Sequence, residues 1–72
     1  MDRIITDPGI QHGKPVIRGT RVPVARILGS LAAGMSFDDV QREYGVDRQD
    51  IQAALEFASL LIEREEHHAL PR

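Results

Sequence analysis

The sequence predicts a mainly α protein: a short N-terminal β-hairpin followed by three helices, the last two joined as a helix-turn-helix. Three observations predict it. Pro8, Gly9, Gly13, Pro15 and Gly19 crowd the first 22 residues and exclude a helix there. Beyond them, apolar residues recur at helical spacing. Gly45-Val46-Asp47 then separates a short helical pattern from a long one. With 72 residues the chain is one small domain over 1–72.

The arm spans 1–22. Ile4-Ile5-Thr6 is a β-prone run stopped by the turn signal Asp7-Pro8-Gly9, and Pro15-Val16-Ile17 is a second run ended by Gly19. A lone hairpin is marginal in water, so this one either packs on the helices or pairs with another chain through its edge. Helix 1 is expected over 23–34. Pro23 suits its first turn, Val24, Ile27, Leu28 and Leu31 make one stripe, and Gly34 is the left-handed residue that closes it. Gly29 inside it costs about 1 kcal/mol against Ala unless it admits a close helix contact.

Helix 2 is expected over 36–45, capped by Ser36 with Asp39 three residues on. Its stripe is Phe37, Val40 and Tyr44, and Gly45 ends it. Helix 3 is expected over 47–67, capped by Asp47 with Asp50 at the third position, and a tail occupies 68–72. At about 100° per residue, Ile51, Ala54, Leu55, Ala58 and Ile62 share one face, and Phe57, Leu60 and Leu61 share another. One small core needs one stripe. The second is covered either by a second copy of the chain or by the hairpin folding back. Ile4, Phe57, Leu60 and Leu61 are the expected dimer or partner interface.

A core this small rarely supplies more than about 3–5 kcal/mol, so such folds lean on disulfides, a metal or a partner chain. Cysteine is absent, which removes the first and any thiolate metal site and fits a cytoplasmic location. No apolar run is long enough to span a membrane, and no secretory leader pattern opens the chain. The net charge of −2 is unevenly spread. Arg3, Lys14, Arg18, Arg21 and Arg26 outnumber Asp2 and Asp7 in residues 1–36, whereas residues 37–72 carry nine acids against four bases. A polyanion would meet the first half, and a basic protein the second.

Chemistry-bearing constellations are few. Gly9 to Pro15 has three residues between its glycines where a phosphate loop needs four, and Pro15 replaces the hydroxyl residue that would hold magnesium. His67 and His68 point about 100° apart on a helix and cannot share one metal, while His12 sits in a turn. No nucleophile–base or carboxylate pair stands out. Catalytic residues, metal ligands and cofactors are therefore expected to be none, with no small-molecule substrate.

Binding is the expected mode of action. In a helix-turn-helix the second helix enters the DNA major groove. Asp47, Arg48, Gln49, Gln52, Ala53 and Glu56 are its expected exposed residues. Arg48 suits guanine, and Gln49 or Gln52 suits adenine. Arg42 adds a cation on the preceding helix, yet Asp47, Asp50 and Glu56 repel phosphates, and a merely solvated face competes with base readout. Arg18 and Arg21 flank the Gly19 turn. They either clamp a phosphate or carboxylate or pair with the domain's own acids.

The block Gly13-Lys14-Pro15-Val16-Ile17-Arg18-Gly19-Thr20-Arg21-Val22-Pro23-Val24 is the most unusual segment. With Asp7-Pro8-Gly9-Ile10 before it and Ile27-Leu28, Gly34-Met35-Ser36, Tyr44 and Asp50-Ile51 after it, the chain resembles bacterial domain-of-unknown-function family 433 over about residues 3–62. The resemblance implies a hairpin followed by a homeodomain-like three-helix unit. It implies the VapB-like antitoxin of a type II toxin–antitoxin pair. Such an antitoxin neutralises a PIN-like ribonuclease toxin and represses its own operon as a homodimer on operator DNA. The expected DNA-binding residues are Lys14, Arg18, Arg21, Arg42, Arg48, Gln49 and Gln52. Few residues follow helix 3, so toxin contact falls to folded surface, either Phe57, Leu60 and Leu61 or the acidic helix end. The alternative is a protein–protein adaptor with no DNA role.

Overall fold

Glycines and hydroxyl or carboxylate caps divide the chain where the sequence places them. The computed structural model describes residues 3–64. The expected end of helix 3 over 65–67 and the tail over 68–72, with His67 and His68, lie outside the described residues. Strand β1 (Ile4–Ile5) pairs antiparallel with β2 (Val16–Ile17), Ile4 opposite Ile17 and Ile5 opposite Val16. Three helices follow: α1 (Val24–Ala32), α2 (Phe37–Tyr44) and α3 (Arg48–Arg64).

The connection between the strands is built from two tight turns. The Asp7 carboxylate accepts from the Gly9 N–H at 2.8 Å, and the Ile10 N–H closes onto the Asp7 carbonyl. Gln11, His12 and Gly13 then all take positive φ, an unusual run that turns the chain sharply into Lys14. After β2, Gly19 at φ +79° allows the Thr20 N–H to reach the Ile17 carbonyl at 3.0 Å. The Thr20 hydroxyl donates to that carbonyl at 2.7 Å and accepts from the Val22 N–H at 3.0 Å. The chain therefore enters α1 in a fixed direction.

Each helix end has a named cause. Ser36 caps α2 by accepting from the Asp39 N–H at 3.0 Å. Gly45, at φ +67°, ends α2, and the Val46 N–H returns to the Gln41 carbonyl. Asp47 and Asp50 form a reciprocal box: each carboxylate accepts from the other's N–H, at 2.8 and 3.0 Å.

The hairpin packs on the helices. Ile4 and Ile17 join Val24, Ile27, Val40, Val46, Ile51, Ala53 and Ala54 in one core, with Val22, Leu28, Leu31, Phe37, Tyr44 and Phe57 packed around it. Three sequence expectations change. Ile4, an expected interface residue, is buried in this core. Ala53, expected at the surface, is buried as well. The two expected stripes of α3 also regroup. Phe57 joins Ile51 and Ala54 on the core side, whereas Leu55 and Ile62 are exposed. The cause is that β1, α1 and α2 all pack against α3, so its first half is covered over a wide arc and not along one narrow stripe. Gly29 makes no close contact, since a Cβ built there meets nothing within 4 Å.

Candidate binding surfaces

Three surfaces follow from this packing: the start of α3, the far half of α3, and the entry to α1.

At the start of α3, Arg3 reaches across from the residue before β1. One of its guanidinium nitrogens, Nη1, donates to Asp47 at 3.1 Å and to Asp50 at 2.8 Å, and Nη2 donates to the Gln49 side-chain carbonyl. The Asp50 N–H, and then the Arg3 charge, hold the Asp47 carboxyl below the usual carboxylate range. The same contacts, led by the hydrogen bond to Asp50, raise the Arg3 pKa. Arg48 lies over the Phe37 ring at 4.6 Å, a cation–π contact. Of the expected base-reading residues, Arg48 and Gln49 thus have partners within the chain, and Gln52 is exposed. Arg42 on α2 pairs with Asp39 one turn back.

The Arg3 clasp was not legible in the sequence. Its partners lie more than 40 positions away, and only the contact of β1 with α3 brings them together. The one hint was a cation beside the first β run and two acids at the α3 cap.

Along the far half of α3, Leu55, Leu60, Leu61 and Ile62 are 42%, 45%, 44% and 69% exposed. Beside them, an apolar groove of about 210 Å³ runs between α1 and α3, walled by Pro15, Val24, Leu28, Phe57, Ala58 and Leu61. Leu61 belongs to both, so the groove opens onto an exposed apolar part of α3. Soluble proteins rarely leave such a surface uncovered unless it binds something.

At the entry to α1, Lys14, Arg21 and Arg26 gather around Pro23. Arg18 is exposed on the other side of the Gly19 turn, and its N–H donates to the Arg3 carbonyl. Among the described residues, no group of three or more histidines, cysteines or acids could hold a metal. No helix among them is long and apolar enough to cross a membrane.

Comparison with known proteins places this geometry. The family model described as "Protein of unknown function (DUF433)" matches residues 4–58. A Mycobacterium tuberculosis protein named "Putative antitoxin VapB45" is 40% identical over 53 residues, which is 74% of this chain but 22% of that protein. A crystal structure of Rv2018 from Mycobacterium tuberculosis superposes with a TM-score of 0.67 at 40% identity, over 72% of this chain and 24% of that one. A DUF433 member from Anabaena variabilis superposes with a TM-score of 0.78 at 26% identity, over 94% of this chain and 71% of the other. The chain thus spans about a fifth of the length of the curated relative it matches.

Proposed function

This chain belongs to the DUF433 family, and on that premise we propose that it acts by binding, as the antitoxin of a type II toxin–antitoxin pair. The observation that carries the proposal is the apolar surface on the far half of α3, on a fold whose similar relative bears an antitoxin's name. A second copy of the chain seated on Phe57, Leu60 and Leu61 forms a homodimer. The toxin, a PIN-like ribonuclease, is held through the remaining part of this surface and the acids beside it. Glu56 and Glu63 are exposed on the same helix and attract a basic, RNA-binding partner. The dimer represses its own operon by placing two copies of the three-helix unit on operator DNA. It carries no catalysis.

The test is co-expression with the product of any small nuclease-like reading frame found beside the gene. The chain relieves its growth arrest, and L60D/L61D abolishes both the relief and the dimer seen by light scattering. A chain that stays monomeric at micromolar concentration and relieves nothing overturns the proposal.

One observation favours the second reading, an adaptor without a DNA role. The start of α3 is acidic, and Arg3 and Phe37 already engage its Gln49 and Arg48. A gel shift on the gene's own upstream DNA separates the two: the adaptor gives no band at low salt, and the regulator binds and weakens as salt rises.

A further inference from the structure

From the surroundings of Lys14, Arg21 and Arg26 we infer that the entry to α1, and not the start of α3, is the face that grips the phosphate backbone of duplex DNA. The inference rests on the regulator reading above and assigns its electrostatic contact to a different face.

Two shallow hollows share Gln11, Pro23 and Arg26 as walls, with Lys14 at one side and Arg21 at the other. No acidic residue lines either hollow. All three cations are exposed. Among the described residues, none of the three forms a salt bridge, whereas Arg3 and Arg42 each do. Arg26 stands in the first turn of α1, where no acid offsets the positive end of the helix.

The cations are also placed by fixed backbone. Lys14 follows the run of positive φ at Gln11 to Gly13, and its N–H is held by the Gln11 carbonyl at 3.1 Å. Arg21 sits inside the Thr20 turn, and its carbonyl accepts from the Gln11 side-chain amide at 3.2 Å. One glutamine therefore ties the Lys14 turn to the Arg21 turn. Arg26 leaves a helix whose first turn is anchored beside Lys14 through the Val24 N–H on the Pro15 carbonyl. Little backbone ordering is left to be lost on binding.

A ligand that matches three exposed cations on so small a surface is a polyanion with repeated charges. Duplex phosphates are such a ligand, and Arg, Lys and Gln are among the groups that contact them. Lys14 also lines one end of the apolar groove, whereas Arg21 and Arg26 line only the two hollows, so the arginines mark the cationic face as separate from the groove.

The test is fluorescence anisotropy of the full chain with two labelled duplexes, the gene's upstream DNA and an unrelated sequence, over a salt series. The variants are K14A/R21A/R26A on the α1 entry and R48A/Q52A on α3, with thermal midpoints followed by circular dichroism. We expect the triple variant to keep its midpoint and to lose about tenfold or more in affinity for both duplexes at low salt. Its log–log salt slope falls by about 2–3, at roughly 0.9 per phosphate contact. R48A/Q52A changes that slope by less than about 1. Should the triple variant lose its fold, R21A and R26A singly must each lower the slope by about 1.

An unchanged affinity and slope in these variants overturns the inference. So does a wild-type chain that binds neither duplex, or a triple variant that loses an acidic protein partner while keeping DNA. Equal wild-type affinity for the two duplexes has a different meaning: the phosphate grip stands, and operon-specific repression fails.

Discussion

The start of α3 and the entry to α1 both carry arginines, but their surroundings give those arginines opposite work. At α3, Arg3 neutralises Asp47 and Asp50, and Arg48 lies on Phe37. Those charges are spent inside the molecule, where they tie the hairpin to the helix. At α1, Lys14, Arg21 and Arg26 face hollows without an acid, and what holds them is backbone geometry. A cation that is paired stabilises the fold, and one that is positioned without a partner is available to a ligand. The two regions separate these uses within one small domain.

Both regions stand on the same core, so the largest effect comes from removing its centre. Ile27 on α1 is fully buried among residues from every element. I27A leaves a cavity and costs about 2–5 kcal/mol. That is comparable to what a core of this size supplies in total, about 3–5 kcal/mol. The variant is expected to be largely unfolded by circular dichroism and to lose every binding activity together. Retention of duplex binding by an unfolded I27A would show that the α1 entry needs no fold to position its cations.

The next effect isolates the α3 side. D47A removes the cap of α3 and one partner of Arg3, and it lowers the thermal midpoint by about a few degrees. The acid dependence gives a second readout. The folded Asp47 carboxyl titrates below its unfolded value, so the unfolded chain binds more protons between the two. This stabilisation is complete above the ordinary aspartate range and is lost as pH falls through the depressed value. D47N should flatten the fall of the midpoint between about pH 6 and about pH 3, while R21A leaves it unchanged.

These local devices explain how much of the molecule was legible in the sequence. Ser36, Gly45 and the Asp47–Asp50 pair act over three or four residues, so their spacing alone predicts caps and stops that the structure contains. The two strands of the hairpin were legible from two apolar runs bounded by breakers, but their register was not. What the spacing did not reveal is long-range. Ala53 and Ile4 are buried because β1 packs against α3, and Phe57 joins the core while Ile62 leaves it because three elements converge on the first half of that helix. Helical periodicity counts faces of one helix and has no information about how many neighbours cover them. For the same reason the sequence named Lys14 and Arg21 as DNA contacts without Arg26, and only the turn at Gln11 to Gly13 brings Lys14 beside Arg26 at Pro23.

Gly29 lies on the exposed side of α1 and belongs to neither region. Its φ is not positive, and a Cβ there meets nothing within 4 Å. G29A should raise stability by about 1 kcal/mol through helix propensity alone. A loss of stability would reveal a close approach to that side of α1 by a second chain, and its dependence on protein concentration would identify the dimer as the cause.

The smallest expected change is the one that sharpens the comparison most. R21A removes an exposed guanidinium with no carboxylate partner among the described residues, so its stability should stay within about 0.5 kcal/mol of the parent. R3A removes an exposed guanidinium too, but one that bonds Asp47, Asp50 and Gln49 together, and its midpoint should fall below that of R21A. It also leaves Asp47 and Asp50 repelling each other at the α3 cap, so the deficit of R3A should grow as salt is removed, whereas R21A shows no such trend. Parallel melting curves of the two variants at low and high salt measure this directly. Equal midpoints at both would mean that the Arg3 clasp contributes nothing to stability, and that the two groups of arginines differ only in which face they stand on.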